Sequence, residues 1–318
     1  MKRIGLAVAC VFAMAGIEAE VPLDWNWAFP VGIPALAGKP DNVRPLQLPG
    51  SAQHFTEAQI HDLTHAADWF PEAHPAMPRP VLAGNAGANA CGFCHLPAGE
   101  GRPENASLAG LPADYIERQV AAFADGSRQS AVPSPASRLM VATAKTASAA
   151  DVASAAAYYS QRPFHSHVSV VEVAEIAPPK ANGFIYVLGE GPKIPLGARL
   201  IEVPEDSERF PERFELRDPR ARFTAYVPQG ALARGAALAA SGGPGGVPCG
   251  ACHGLDLEGG IAPPLAGRSP SMLVRQLMAF AAGTRANAEA APMRTVAEKL
   301  TNDDMIALAA YAASLGSR

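Results

Sequence analysis

The sequence predicts a mainly α-helical protein built as two similar helical halves joined by a small strand-containing segment. Three observations carry that expectation. The pentapeptide Cys91-Gly92-Phe93-Cys94-His95 returns as Cys249-Gly250-Ala251-Cys252-His253. Behind it the same landmarks return in the same order. Leu108-Ala109-Gly110 becomes Leu265-Ala266-Gly267, Tyr115 to Phe123 becomes Met272 to Phe280, Gly126-Ser127-Arg128 becomes Gly283-Thr284-Arg285, and Ala157-Tyr158 becomes Ala310-Tyr311. Between the two copies the composition turns β-branched and aromatic, broken by Pro and Gly.

Taken in order, residues 1–19 read as a cleavable signal peptide: Lys2 and Arg3, an apolar run from Ile4 to Ile17, and a cleavage site at Ile17-Glu18-Ala19. The run is short for a membrane span. An uncleaved anchor, or a lipoprotein signal ending at Cys10, is the alternative. Residues 20–77 form an extension rich in tryptophan and proline, with one helix capped by Thr56 and Gln59. The first half, residues 78–162, allows only a short helix before its motif because of Pro78 and Pro80. A longer helix then lines up Tyr115, Gln119 and Phe123 and stops at Gly126, and a closing helix starts at Ser148 with Asp151 three residues on. Residues 163–228 are a linker with short strands at Val168–Val173, Phe184–Leu188, Leu200–Val203 and Phe223–Val227. The second half, residues 229–318, has a helix over Gly230–Ala240 before its motif. One through Leu273, Leu277 and Phe280 ends near Gly283, and a closing helix is capped by Thr301 and Asp304.

Length and charge bound the function. A chain of 318 residues supports two cores. With 48% hydrophobic and 18% charged residues and a net charge of −4, it offers no strong attraction to nucleic acid and no polybasic membrane surface. Of five cysteines, Cys10 lies in the leader and the rest belong to the two pentapeptides, so no thiol is left for a disulfide.

Cys-x-x-Cys-His is the attachment pattern of a c-type heme: the two thiols add across the heme vinyl groups, and the next histidine then faces the iron. The motif therefore predicts two covalently bound heme c groups, on Cys91, Cys94 and His95 and on Cys249, Cys252 and His253. A redox dithiol and a structural zinc site also use Cys-x-x-Cys. The first gives no reason for the repeated histidine, and the second needs further ligands. Methionine sulfur is the usual soft ligand opposite the histidine. Of eight methionines, Met272, Met278 and Met305 align with Tyr115, Ala121 and Val152, whereas Met140 aligns with Met293, each eighteen residues before the repeat tyrosine. Pro133, Pro135 and Pro292 place both in a loop between helices, and His95, Met140, His253 and Met293 are the expected iron ligands. The Pro263 carbonyl is positioned to hold the other ring nitrogen of His253. The first half carries Asn105-Ala106-Ser107 there and is one residue longer, which leaves its acceptor open and the two sites unequal. His61 and His65 lie one helical turn apart, a spacing more typical of a solvated face than of a metal site.

In these motifs, the Leu-Ala-Gly, the Arg-Gln helix, the paired methionine and the Ala-Tyr helix, residues 78–162 and 229–318 resemble the tandem diheme class I cytochromes c of bacterial periplasms. That resemblance implies two class I cytochrome c domains in tandem and a periplasmic electron carrier. Its partners would be a dehydrogenase donor and an oxidase or other terminal acceptor, with peripheral association to a membrane complex. It implies no catalytic residues. The extension and the long linker depart from the simplest members and leave the domain arrangement open. Two other readings stand beside it: a diheme peroxidase-like enzyme, which needs an iron open to peroxide, and the cytochrome subunit of a dehydrogenase complex.

Overall fold

The computed structural model describes residues 23–32, 43–85, 87–205 and 214–317. The expected signal peptide lies outside them. Strands β1 (Pro45–Leu46) and β2 (Phe55–Thr56) pair antiparallel and lead into α1 (Glu57–Ile60), which Thr56 and Gln59 close with a reciprocal capping box. Helix α2 (Arg79–Leu82) is a single turn that starts at Pro78 and Pro80, short as expected, and α3 (Cys91–His95) carries the first motif. Helix α4 (Ala113–Asp125) ends at Gly126, whose φ of 84° is the left-handed stop that glycine adopts without strain. Helices α5 (Pro135–Thr146) and α6 (Ala149–Ser160) complete the first half, α6 capped by Ser148.

The linker is a set of short strands: β3 (Val168–Val173), β4 (Glu175–Ile176), β5 (Pro179–Asn182), β6 (Ile185–Leu188), β7 (Ile194–Pro195), β8 (Ile201–Pro204) and β9 (Phe223–Pro228). The main sheet runs β3-β9-β8, with β3 parallel and β8 antiparallel to β9. Strand β9 alternates buried and half-buried residues and sets Phe223 and Ala225 against Ala313 of the closing helix.

The second half follows as α7 (Ala231–Ser241), α8 (Gly250–His253), α9 (Pro270–Ala281), α10 (Ala291–Ala297) and α11 (Asn302–Ser314). Helix α7 crosses α11 at Gly235, where a Cβ would collide with the Ala307 carbonyl, and Arg234 reaches Asp304 at 2.7 Å. The linker is not a tether. Glu172 of β3 accepts the Leu232 amide at 2.7 Å, and Glu202 of β8 accepts the Ser269 hydroxyl at 2.7 Å and the Ser271 amide at 3.1 Å. Two linker carboxylates thus sit at the positive ends of α7 and α9. The extension is divided: Trp25 and Ala28 enter the core of Val274, Met278 and Met305, whereas Ile60, Trp69 and Phe70 cluster with Leu216 beside the first half. Among the described residues no helix is long and apolar enough to cross a membrane.

Candidate functional site

The repeat in sequence returns as a repeat in hydrogen bonds. The carbonyl of His95 accepts the Gly101 amide at 3.1 Å, and that of His253 accepts the Gly259 amide at 2.7 Å. Leu108 and Ala109 both bond to the Gly99 carbonyl, as Leu265 and Ala266 both bond to that of Leu257. Gly110 reaches the Tyr159 carbonyl, and Gly267 that of Ala312. The residue after each motif histidine has positive φ, 66° at Leu96 and 83° at Gly254, a turn that glycine makes freely and leucine makes under strain.

These turns fix both imidazoles. His253 Nδ1 is 2.8 Å from the Pro263 carbonyl, as expected, and His95 Nδ1 is 2.7 Å from that of Ala106, the acceptor that the sequence left open. Burial lowers the pKa of both rings and so favours the neutral imidazole that ligates metal. With Nδ1 satisfied, His253 Nε2 is buried with no hydrogen-bond partner. A buried, orphaned, neutral ring nitrogen beside two thiols fits a heme held by Cys249, Cys252 and His253.

The other uses of Cys-x-x-Cys fit poorly. None of the four motif cysteines forms a disulfide, burial pushes Cys91 up to about 12, and Cys94 and Cys249 also move upward. That is the reverse of an activated dithiol. Among the described residues no group of three or more His, Cys, Asp or Glu side chains comes together as a metal-ion site. His65 instead pairs with Asp62 at 3.3 Å.

The structure corrects the placing of the methionines. Met140 lies within α5 and Met293 within α10, not in a loop. Pro135 and Pro292 stand in the first turns of these helices, where proline starts a helix rather than breaks one, and Ser134 caps α5 through Ser137. Both methionines are half-buried, and Met293 packs on Phe280, Ala290 and Ala297. The rejected candidates Met278 and Met305 are fully buried core residues.

Sequence reasoning missed the joint between the halves. Arg128 donates to Gln119 at 2.9 Å and to Gln276 at 3.0 Å, while Arg285 donates to Gln276 at 3.0 Å and Gln119 at 2.8 Å. The backbones bridge there too, with Gln129 N to Thr284 O at 2.8 Å and Ala286 N to Ser127 O at 2.6 Å. Each partner is the repeat equivalent of the other, so the seam has an approximate twofold relation. Arg268 extends it, donating to the Ser107 and Ala109 carbonyls at 3.0 and 2.9 Å. The signal was present in the repeated Arg-Gln and Gly-Ser/Thr-Arg residues.

Comparison with known proteins agrees with the motif. Residues 232–316 match the cytochrome c family. A thiosulfate dehydrogenase electron acceptor of Thiomonas intermedia is 40% identical over 88 residues, 27% of this chain and 37% of that protein's length. Among solved structures, a thiosulfate dehydrogenase of Marichromatium purpuratum is 27% identical, with a TM-score of 0.48, over 72% of this chain and 37% of that one. The cytochrome c4 of Pseudomonas stutzeri is 22% identical over 71% of this chain and 93% of its own, with a TM-score of 0.46. That of Acidithiobacillus ferrooxidans is 23% identical over 71% and 98%, also at 0.46. The stretch that matches the cytochrome c family, residues 232–316, is the one that carries the second Cys-x-x-Cys-His loop and the buried His253.

Proposed function

We propose that this chain is a diheme c-type cytochrome that carries electrons in the periplasm between a dehydrogenase or membrane respiratory complex and a terminal acceptor. Residues 78–162 and 229–318 are its two heme domains. Cys91 and Cys94, and Cys249 and Cys252, would hold the hemes by thioether bonds, and His95 with Met140 and His253 with Met293 would ligate the two irons. Bound heme supplies a one-electron ferric/ferrous couple. The rest belongs to the chain: the Ala106 and Pro263 carbonyls hold each imidazole by Nδ1 and leave Nε2 for iron, and burial keeps both rings neutral.

The observation that carries this reading is the matching of the two motif loops in their main backbone bonds and in the carbonyl that fixes each histidine. A site used once for redox chemistry and once as a relic has no reason to keep that geometry. An iron ligated by both a histidine and a methionine would have no position open to substrate, so this ligand set would suit a carrier better than a peroxidase-like enzyme. The likeness to a thiosulfate dehydrogenase electron acceptor supports a sulfur-oxidising dehydrogenase as donor.

Pyridine hemochrome assay of the purified protein will give two hemes per chain, and magnetic circular dichroism of the oxidised form will show the methionine-to-iron charge-transfer band with intensity for two. Met140→Ala and Met293→Ala will each remove half of that band. One heme per chain, or a high-spin heme that turns over peroxide, overturns the proposal.

A further inference from the structure

Among the described residues, three of the seven exposed large apolar side chains lie along one short loop, and the two most exposed are among them. Leu255 is 94% exposed, Ile261 90% and Val247 49%. All three belong to the second Cys-x-x-Cys-His loop. Val247 stands two residues ahead of Cys249. Leu255 lies against Gly250, with its carbonyl 3.5 Å from where a Cβ would stand. Ile261 precedes Ala262, whose amide bonds the Cys252 carbonyl at 3.0 Å. Pro248 and Ala251 are exposed between them, and Asp256 and Glu258 are exposed alongside. Exposed apolar and acidic side chains thus share residues 247–261, the stretch that contains Cys249 and Cys252, which would attach the second heme.

The same surface of the first loop is covered by the chain itself. A Cβ on Gly92 would stand 2.7 Å from the Val81 carbonyl and 2.9 Å from Ala66 Cβ. Ala90 donates to the Leu63 carbonyl at 2.9 Å. Phe93 is 6% exposed under the Arg217 guanidinium, which lies 3.7 Å from the ring centre and donates to the Phe93 carbonyl at 2.7 Å. Ala251, the repeat equivalent of Phe93, has no such cover. The extension and linker therefore close one loop and leave the other open.

We propose that the face around Val247, Leu255 and Ile261 is the docking site of a redox protein whose contact surface is apolar with a cationic margin, and that electrons enter and leave the chain there rather than at the first loop. This rests on the carrier reading above. Apolar contact over the attachment loop brings a partner's cofactor close to the second heme, and Asp256 and Glu258 complement positive charge on the partner's margin. A handful of side chains is well short of the ~800 Å² per partner that a stable dimer needs and suits a brief redox encounter.

The test uses the full-length diheme protein in its ferric form and zinc-substituted mitochondrial cytochrome c, which carries an apolar heme edge ringed by lysines. Laser excitation of the zinc porphyrin transfers one electron to a ferric heme, leaving an oxidised zinc porphyrin and a ferrous heme that then recombine. Leu255→Lys with Ile261→Lys will lower the bimolecular quenching constant at least tenfold. Val171→Lys, on an exposed linker strand, will leave it unchanged, and Asp256→Asn with Glu258→Asn will flatten its dependence on ionic strength. Unchanged quenching by the double lysine variant, with unchanged thermal unfolding, overturns the docking site and leaves the carrier reading intact. A dimer in sedimentation velocity that the lysine variant disperses assigns the patch to a second copy and overturns it as well. Absence of quenching by the unsubstituted protein overturns the carrier reading and this inference together.

Discussion

Gln119→Leu and Gln276→Leu test the seam between the halves. Gln119 is 6% exposed and its Oε1 accepts from Arg128 at 2.9 Å and Arg285 at 2.8 Å, while Gln276 Oε1 accepts from the same two arginines at 3.0 Å each. Either leucine removes the acceptor of two charge-assisted bonds, each worth about 1.5–3 kcal/mol. The surviving glutamine still accepts from both arginines, so part of the loss is recovered and each variant costs about 3 kcal/mol. The double variant differs in kind: Arg128 loses both of its glutamine acceptors, and Arg285 keeps only the Tyr115 hydroxyl at 2.9 Å. Two buried guanidinium groups then face each other with little compensation, and the double cost exceeds the sum of the singles by at least ~1 kcal/mol. Urea unfolding of the diheme protein measures this, with Trp25 in the core of the second half and Trp69 beside the first motif as reporters. In the double variant the single transition splits into two. Costs below about 1 kcal/mol that add without coupling would refute the reasoning, because the arginines would then be bonding to water rather than across a closed seam.

Two further substitutions probe the scaffold. Gly235→Ala sets a methyl against the Ala307 carbonyl and 2.6 Å from Tyr311 Cβ. Overpacking of about 3 kcal/mol, less about 1 kcal/mol of helix propensity gained, leaves a net loss of about 2 kcal/mol, seen as a lower Tm by calorimetry. Glu100 is raised from 4.5 to about 7, first by burial. Its protonated form is therefore the one that stabilises the fold: the contribution is complete below 4.5 and is lost as pH rises through 7. Glu100→Gln, neutral throughout, will flatten that loss of up to about 3 kcal/mol in denaturation curves taken across this window.

Local chemistry was legible in the sequence. Capping residues Thr56, Ser148 and Thr301, the stop at Gly126, the four main strand runs and the Pro263 acceptor all stand where residue type and spacing put them. Each depends on atoms within a few residues of one another, or on a repeat that shows itself twice. What escaped depends on distant partners. Glu172 and Glu202 give no sign along the chain that they cap α7 and α9, and Arg217 gives none that it covers Phe93. Pro135 and Pro292 misled for a different reason: proline marks both the end of one element and the first turn of the next, and spacing alone does not decide between them. The inequality expected from the histidine acceptors is not seen, for their distances of 2.7 and 2.8 Å are nearly the same; the two motif loops differ instead in what covers them.

The inequality comes from the segments that do not repeat, and it has a direction. Ferric heme carries one more positive charge than ferrous heme, so burial and nearby cations favour the ferrous state and raise the potential. The first loop is closed by residues 63–66 and stacked under the Arg217 cation, while the second is open to water with Asp256 and Glu258 exposed beside it. On the diheme reading, the heme on Cys91 and Cys94 therefore has the higher potential, and an electron received at the open loop moves inward. Glu100, buried on the first side, is neutral below pH 7 and ionised above it, so its charge then favours the ferric state. Spectroelectrochemistry of the diheme protein will show two waves whose separation narrows above that pH. Arg217→Gln will lower only the upper wave, and Glu100→Gln will remove the narrowing. If Arg217→Gln moves the lower wave instead, the covered loop holds the weaker oxidant, and the inward direction of transfer is wrong.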